Sequence, residues 1–135
     1  VDFKGEFDRV HQAGVTPPSI QRPIPVWFGG GADAVLRRAA RYGQGWIPLG
    51  NPGSKTQAQL TALQGYLRDE GRDPSAFGVE AWLRSNLGGA DDWRAAADTW
   101  TGLGASHLTF YTSGLGVGPV DKQIEAMRAF KAVMA

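Results

Sequence analysis

A few glycines and cations in this 135-residue chain have the types and spacing that could hold an anion. Gly29, Gly30 and Gly31 follow a short apolar run, Val26-Trp27-Phe28. Glycine lets a backbone turn sharply and approach a ligand closely. A helix start behind such a loop offers free N–H groups and the positive end of a dipole. After the next apolar stretch come Gly50, Ser54 and Lys55, which could add a hydroxyl and a cation to the same anion. Arg84 ends a third stretch, Gly78–Leu83, where it would face a ligand in a barrel, and Ser113–Gly118 is a further glycine loop. Each feature also has a plainer reading. The glycine loops can be tight or flexible turns, Ser54 a helix cap beside a solvated Lys55, and Arg84 the partner of Glu80 in a structural ion pair. The residues alone leave these alternatives open.

Other chemistries find less support. No Gly-Lys-Ser/Thr follows Gly29–Gly31, so it is not a Walker loop, and adjacent glycines lack the spacing of a dinucleotide fingerprint. There is no Gly-x-Ser-x-Gly elbow. His11 and His107, the only histidines, are far apart in sequence and short of neighbouring carboxylates, which argues against a metal site. His11 reads as exposed and His107 as a half-buried structural residue. Trp27, Trp46 and Trp82 fall in strands, where they could be core or wall a flat cofactor. No side chain is marked as a catalytic acid or base.

The elements that position these residues alternate. Pro23 and Pro25 impose an extended entry to a strand at Val26–Phe28. Ala34 to Tyr42 is helical, with Asp33 as N-cap or first-turn acid, Val35, Leu36, Ala39 and Ala40 on one face, and Gly43 or Gly45 as the stop. A second strand lies near Gly45–Leu49. Ser54 or Thr56 can cap a helix running to Asp69, whose Leu60, Leu63 and Leu67 form an apolar stripe. A third strand at Gly78–Leu83 precedes Gly88-Gly89 and a helix from Asp91 or Asp92 to Leu103. The fourth strand is His107–Tyr111, and Lys122 to Met134 is an amphipathic end helix. Residues 1–22 read as an extended loop or hairpin segment with a breaker at Thr16-Pro17-Pro18, and 23–135 as four βα units. Such alternation predicts a parallel sheet covered by helices, either half of an eight-fold βα barrel or a small open sheet. Both bind ligands at the C-terminal ends of their strands, where the glycine loops fall.

The totals set limits. The length suits one domain, and a 42% hydrophobic fraction is enough for a core. A net charge of +1 without a basic stripe gives no case for nucleic acid or an anionic membrane. The absence of cysteine excludes disulfides and thiolate metal sites and fits an intracellular, cytoplasmic protein. No apolar run is long enough to span a bilayer, and no signal-peptide pattern stands at the start. A chain opening on Val1 reads as processed or as a piece of something longer.

The segments Arg22-Pro23-Ile24-Pro25-Val26-Trp27-Phe28-Gly29-Gly30, Leu36-Arg37-Arg38-Ala39-Ala40-Arg41-Tyr42-Gly43 and Gly45-Trp46-Ile47-Pro48 resemble the luciferase-like monooxygenase family. The resemblance is to its branch of oxidoreductases that use the deazaflavin coenzyme F420. Val1-Asp2-Phe3-Lys4-Gly5-Glu6-Phe7, Gln21-Arg22-Pro23 and Glu70-Gly71-Arg72-Asp73-Pro74 resemble that branch too, so recognisable motifs run from residue 1 to about 80. Beyond them the resemblance rests on βα order. It implies the C-terminal half, strands five to eight, of a (β/α)8 TIM barrel. It also implies that the Gly29-Gly30 loop lies near the ring of F420, or of FMN as the alternative. The loop Gly50–Lys55 would help hold the cofactor's phosphate tail, and the chemistry would be two-electron transfer with a small-molecule substrate.

In that family the N-terminal half supplies much of the ring pocket and the usual acid/base side chains. A lone half-barrel exposes strand edges and an apolar sheet face. The expectation is therefore the cofactor-phosphate half of a flavin- or deazaflavin-dependent oxidoreductase, inactive alone, and paired with a second copy or with the missing half. The alternative is a non-enzymatic α/β module that binds a phosphorylated small molecule.

Overall fold

The computed structural model describes residues 1–14, 17–112 and 118–135. Its first segment is a hairpin. Phe3–Lys4 (β1) pairs antiparallel with Arg9–Val10 (β2), Phe3 opposite Val10. Thr16, part of the expected breaker, lies outside the described residues.

The βα units follow in order. Trp27–Gly29 (β3) leads to Asp33–Tyr42 (α1), and Gly45–Ile47 (β4) to Ser54–Asp69 (α2). Gly78–Arg84 (β5) leads to Ala90–Gly102 (α3), and His107–Tyr111 (β6) to Val120–Met134 (α4). Short 3-10 turns stand at Pro74–Ala76, before β5, and at Ser85–Leu87, after it. The strands pair in parallel in the order β3-β4-β5-β6, with Phe28 opposite Trp46, Trp46 opposite Val79, and Trp82 opposite Thr109.

Two facts decide between a half-barrel and an open doubly wound sheet. The spatial order equals the sequence order, so no reversal creates the crevice of a doubly wound fold. In addition, the four helices among the described residues cover the same face. Leu36, Ala39 and Ala40 of α1 and Leu60, Leu63 and Leu67 of α2 pack with Trp46, Phe77 and Val79. Ala97 and Trp100 of α3 pack on Ala81 and Leu83, joined by Phe130 and Met134 of α4. Val79, Ala81 and Leu83 alternate along β5, so they share one face. This is half of a (β/α)8 barrel, with helices outside and the other sheet face turned inward.

The element ends show local causes. Gly43 ends α1, donating its N–H to the Ala39 carbonyl (2.8 Å), whereas Gly45 belongs to β4. Neither Ser54 nor Thr56 caps α2. Gly53 holds the cap position, Ser54 is the first helical residue, and the buried Thr56 hydroxyl donates back to the Asn51 carbonyl (2.9 Å). The Arg72 guanidinium, just past α2, reaches across to the Ala40 carbonyl (2.5 Å) and the Gly43 carbonyl (2.6 Å). It thus supplies charged donors to the C-terminal end of α1, where carbonyls lack helical partners. Among the described residues no helix is long and apolar enough to cross a membrane.

Candidate functional site

The loop after β3 is built from β4 and α2 as much as from itself. Gly30 adopts φ +116°, a conformation that side-chain-bearing residues rarely take. Its N–H donates to the Ile47 carbonyl (3.2 Å), and its carbonyl accepts the Trp46 indole N–H (2.5 Å). The Gly31 carbonyl accepts from Gln59 Nε2 (2.9 Å), and a Cβ on Gly31 would stand 2.0 Å from that nitrogen. Gly29 ends β3, and a Cβ there would meet a Leu49 methyl at 3.9 Å.

Beside this loop lies a cleft of about 450 Å³, lined by Gly31, Ala32, Leu49, Gly50, Asn51, Lys55, Thr56 and Gln59. Of the expected site residues, Gly31, Gly50 and Lys55 meet here. Gly29, Gly30 and Ser54 are not in its lining. Gln59 and Thr56 are partners that the sequence reading missed. The i, i+4 spacing of Lys55 and Gln59 on α2 is the signal that would have found Gln59.

The cleft lies between two helix starts that no side chain caps, Ala32 before α1 and Gly53 before α2. Their first-turn N–H groups therefore keep the capacity to bind an anion. The two starts differ in charge. The first turn of α2 has no acid and carries Lys55, whereas α1 begins with Asp33. The Asp33 carboxylate accepts from the Tyr66 hydroxyl and from Arg37 Nε (2.8 Å). The Tyr66 hydroxyl first, and Arg37 second, hold that carboxyl below the usual carboxylate range. An anion in the cleft is therefore better served by the α2 start.

Arg84 stands exposed at the C-terminal end of β5, on the open sheet face. It lines a smaller cleft of about 130 Å³ with Pro48, Leu49, Gly50, Asn51 and Trp82. A neighbouring cleft of about 380 Å³ runs on from Trp82, Arg84 and Asn51 to Leu87, Ala96 and Trp100. The ion pair of Arg84 with Glu80 does not form. Instead, Glu80 Oε1 accepts from the Thr109 hydroxyl (2.6 Å) and from Trp82 Nε1 (3.0 Å).

The histidines stay outside these clefts. His11 is exposed as expected, but it does have a carboxylate neighbour, Asp2, at 2.8 Å. His107 is exposed and not half-buried, with Trp27 edge-on to it at 5.1 Å. No cluster of three or more metal-ligating side chains exists among the described residues. The three strand tryptophans separate: Trp46 is core, Trp27 is half-buried and Trp82 is 43% exposed. Of the loop Ser113–Gly118, residues 113–117 lie outside the described residues.

The family model for luciferase-like monooxygenases matches residues 1–115. An uncharacterized protein of Mycobacterium tuberculosis is 40% identical over 78 residues, 58% of this chain and 26% of that protein. The F420-dependent glucose-6-phosphate dehydrogenase of Segniliparus rotundus is 34% identical over 112 residues, 78% of this chain and 32% of that enzyme. The chain thus spans about a quarter to a third of the length of these relatives. Among solved structures, an F420-dependent secondary alcohol dehydrogenase in complex with an F420-acetone adduct superposes with a TM-score of 0.50 at 14% identity. That alignment covers 98% of this chain and 47% of the dehydrogenase, and it supports the fold.

Proposed function

This chain belongs to the luciferase-like monooxygenase family, and we propose that it is the cofactor-holding, C-terminal half of an F420-dependent oxidoreductase barrel. One observation carries the reading: Gly31, Gly50 and Lys55 converge between two uncapped helix starts at the C-terminal ends of β3 and β4. The donor set fits a phosphate. It offers an ammonium, first-turn N–H groups and a backbone that comes close where glycine leaves room. The names of the relatives favour F420 over FMN.

Bound at these strand ends, F420 would supply two-electron hydride chemistry to a small-molecule substrate. Lys55 and the start of α2 would hold its phosphate, and the Gly30–Gly31 turn would keep the backbone low enough for it to lie across the sheet. Gln59 ties Gly31 to α2 and so fixes the width of the cleft. The family resemblance puts the usual acid/base side chains on the half that completes the barrel, and this reading leaves proton transfer to that half.

That completing half is a different sequence in this reading. Two-fold closure of an eight-stranded barrel by a second copy sets each strand across from itself. Glu80, on the inward face, would then point toward another Glu80 in a low-dielectric interior. Light scattering tests this: a stable homodimer would speak against it.

Titration with F420 and with FMN, read by ligand fluorescence, tests the cofactor. F420 should bind, and Lys55→Ala should weaken it about tenfold, the loss of one charge-assisted contact. Equal affinity of Lys55→Ala and the parent chain would favour the plainer α/β module with a solvated lysine.

A further inference from the structure

Trp82 is an exposed aromatic side chain held in place from its own sheet. Its indole N–H donates to Glu80 Oε1 (3.0 Å), and the same oxygen accepts the Thr109 hydroxyl (2.6 Å). Thr109 lies directly opposite Trp82 in the β5–β6 register. The Trp82 ring also stacks on Tyr111, at 5.9 Å between centroids and 20° between planes. Fixing a large ring that remains 43% exposed costs side-chain entropy without the gain of full burial. On the closed face such a ring would be core. Here its polar atom is already satisfied inside the sheet, which leaves an apolar face with no demand for water.

That ring borders both clefts at the strand ends, and Arg84, two residues further along β5, borders both with it. The smaller of the two shares Leu49, Gly50 and Asn51 with the Lys55 cleft, so one extended ligand could occupy both. We infer that Trp82 is a preset stacking wall for the planar heteroaromatic ring of an anionic ligand. Glu80 and Thr109 act as its positioning residues, and Arg84 lies beside the bound ring. The inference rests on the reading that a deazaflavin-type ligand lies across these strand ends, and it adds the residues that meet the ring.

The test is titration of the 135-residue chain with F420 and FMN, using Trp82→Ala, Trp82→Phe, Glu80→Ala, Glu80→Gln and Lys55→Ala in parallel. Trp82→Ala should weaken binding about tenfold, and Trp82→Phe less, because a ring remains. Glu80→Ala should weaken binding severalfold and diminish the near-UV indole circular dichroism. Glu80→Gln, which keeps an acceptor for the indole N–H, should restore both. If Lys55→Ala weakens binding and Trp82→Ala does not, the wall is wrong and the phosphate reading stands. If Trp82→Ala weakens binding and Lys55→Ala does not, the wall stands and the phosphate reading fails. If the parent chain binds neither ligand, both are overturned.

Discussion

The two faces of the sheet carry similar side chains in opposite circumstances. On the helix side, Trp46 has no exposure, donates its N–H to the Gly30 carbonyl, and packs among Leu36, Leu60, Leu63 and Leu67. On the inward side, Trp82 is 43% exposed, and Trp27 lies across glycines. A Cβ on Gly45 would come within 2.2 Å of the Trp27 ring, and one on Gly78 within 2.3 Å. The covered face was completed by its own βα units. The inward face has a seated ring, a carboxylate whose Oε1 accepts from Thr109 and Trp82, and an exposed arginine, but among the described residues no layer above them. In a closed barrel that layer comes from strands across the interior. The difference teaches that this chain's own helices close one face of the sheet, while the other keeps ordered aromatic and charged side chains open.

Substitutions can break that division. The largest effect belongs to Trp46→Ala, which empties the middle of the covered face and removes the donor to Gly30. It should cost about 3–5 kcal/mol in chemical denaturation, whereas Trp82→Ala should cost less than about 1 kcal/mol. Similar losses for the two tryptophans would erase the distinction. Next comes Arg72→Ala, which strips charged donors from the Ala40 and Gly43 carbonyls at the end of α1. About 2–3 kcal/mol should be lost, and Arg72→Lys should recover only part of it, since one ammonium cannot reproduce a forked guanidinium.

A smaller effect sharpens the inward side. Gly45→Ala should cost about 1–3 kcal/mol through overpacking against Trp27. In a Trp27→Ala background the same change should cost little, so a double-mutant cycle in urea should return a large coupling. Additive losses would mean that the glycine row does not exist to seat the ring. The smallest effect is at the surface. Asp33 has its folded-state pKa lowered by Tyr66 and Arg37. Its contribution is therefore present above the ordinary carboxylate range and is lost as pH falls through the lowered value. Tyr66→Phe should lower the thermal midpoint slightly at neutral pH, and the gap from the parent should close on acidification. A gap that persists below the carboxylate range would assign the effect to packing of the ring, which also lies under Arg37 at 4.0 Å.

Much of the architecture was legible because it is local. Strand His107–Tyr111, the stop of α2 at Asp69 and the Leu60-Leu63-Leu67 stripe follow from residue types and period alone. The capping of α2 was not legible. Gly53 takes the cap position and Thr56 turns back to Asn51, and the path of the preceding loop, which reaches past the helix itself, sets that choice. The Glu80–Arg84 pair failed for a related reason. Residues i and i+4 on a strand share a face but lie far apart along it, so Glu80 found donors on the residue two along and on the neighbouring strand.

By itself the sequence determined the βα alternation, the family resemblance and the anion-friendly residue types after each strand, because these reside in short segments. The tertiary structure showed the helices covering one face, and so bore out the half barrel that the family resemblance implied and that βα alternation by itself left open. It also decided which glycines matter for what. Gly31 and Gly50 line a cleft, Gly30 makes a turn, and Gly45 and Gly78 give room to a tryptophan. Those assignments depend on which residues oppose each other across strands, and period along a chain does not encode register between strands.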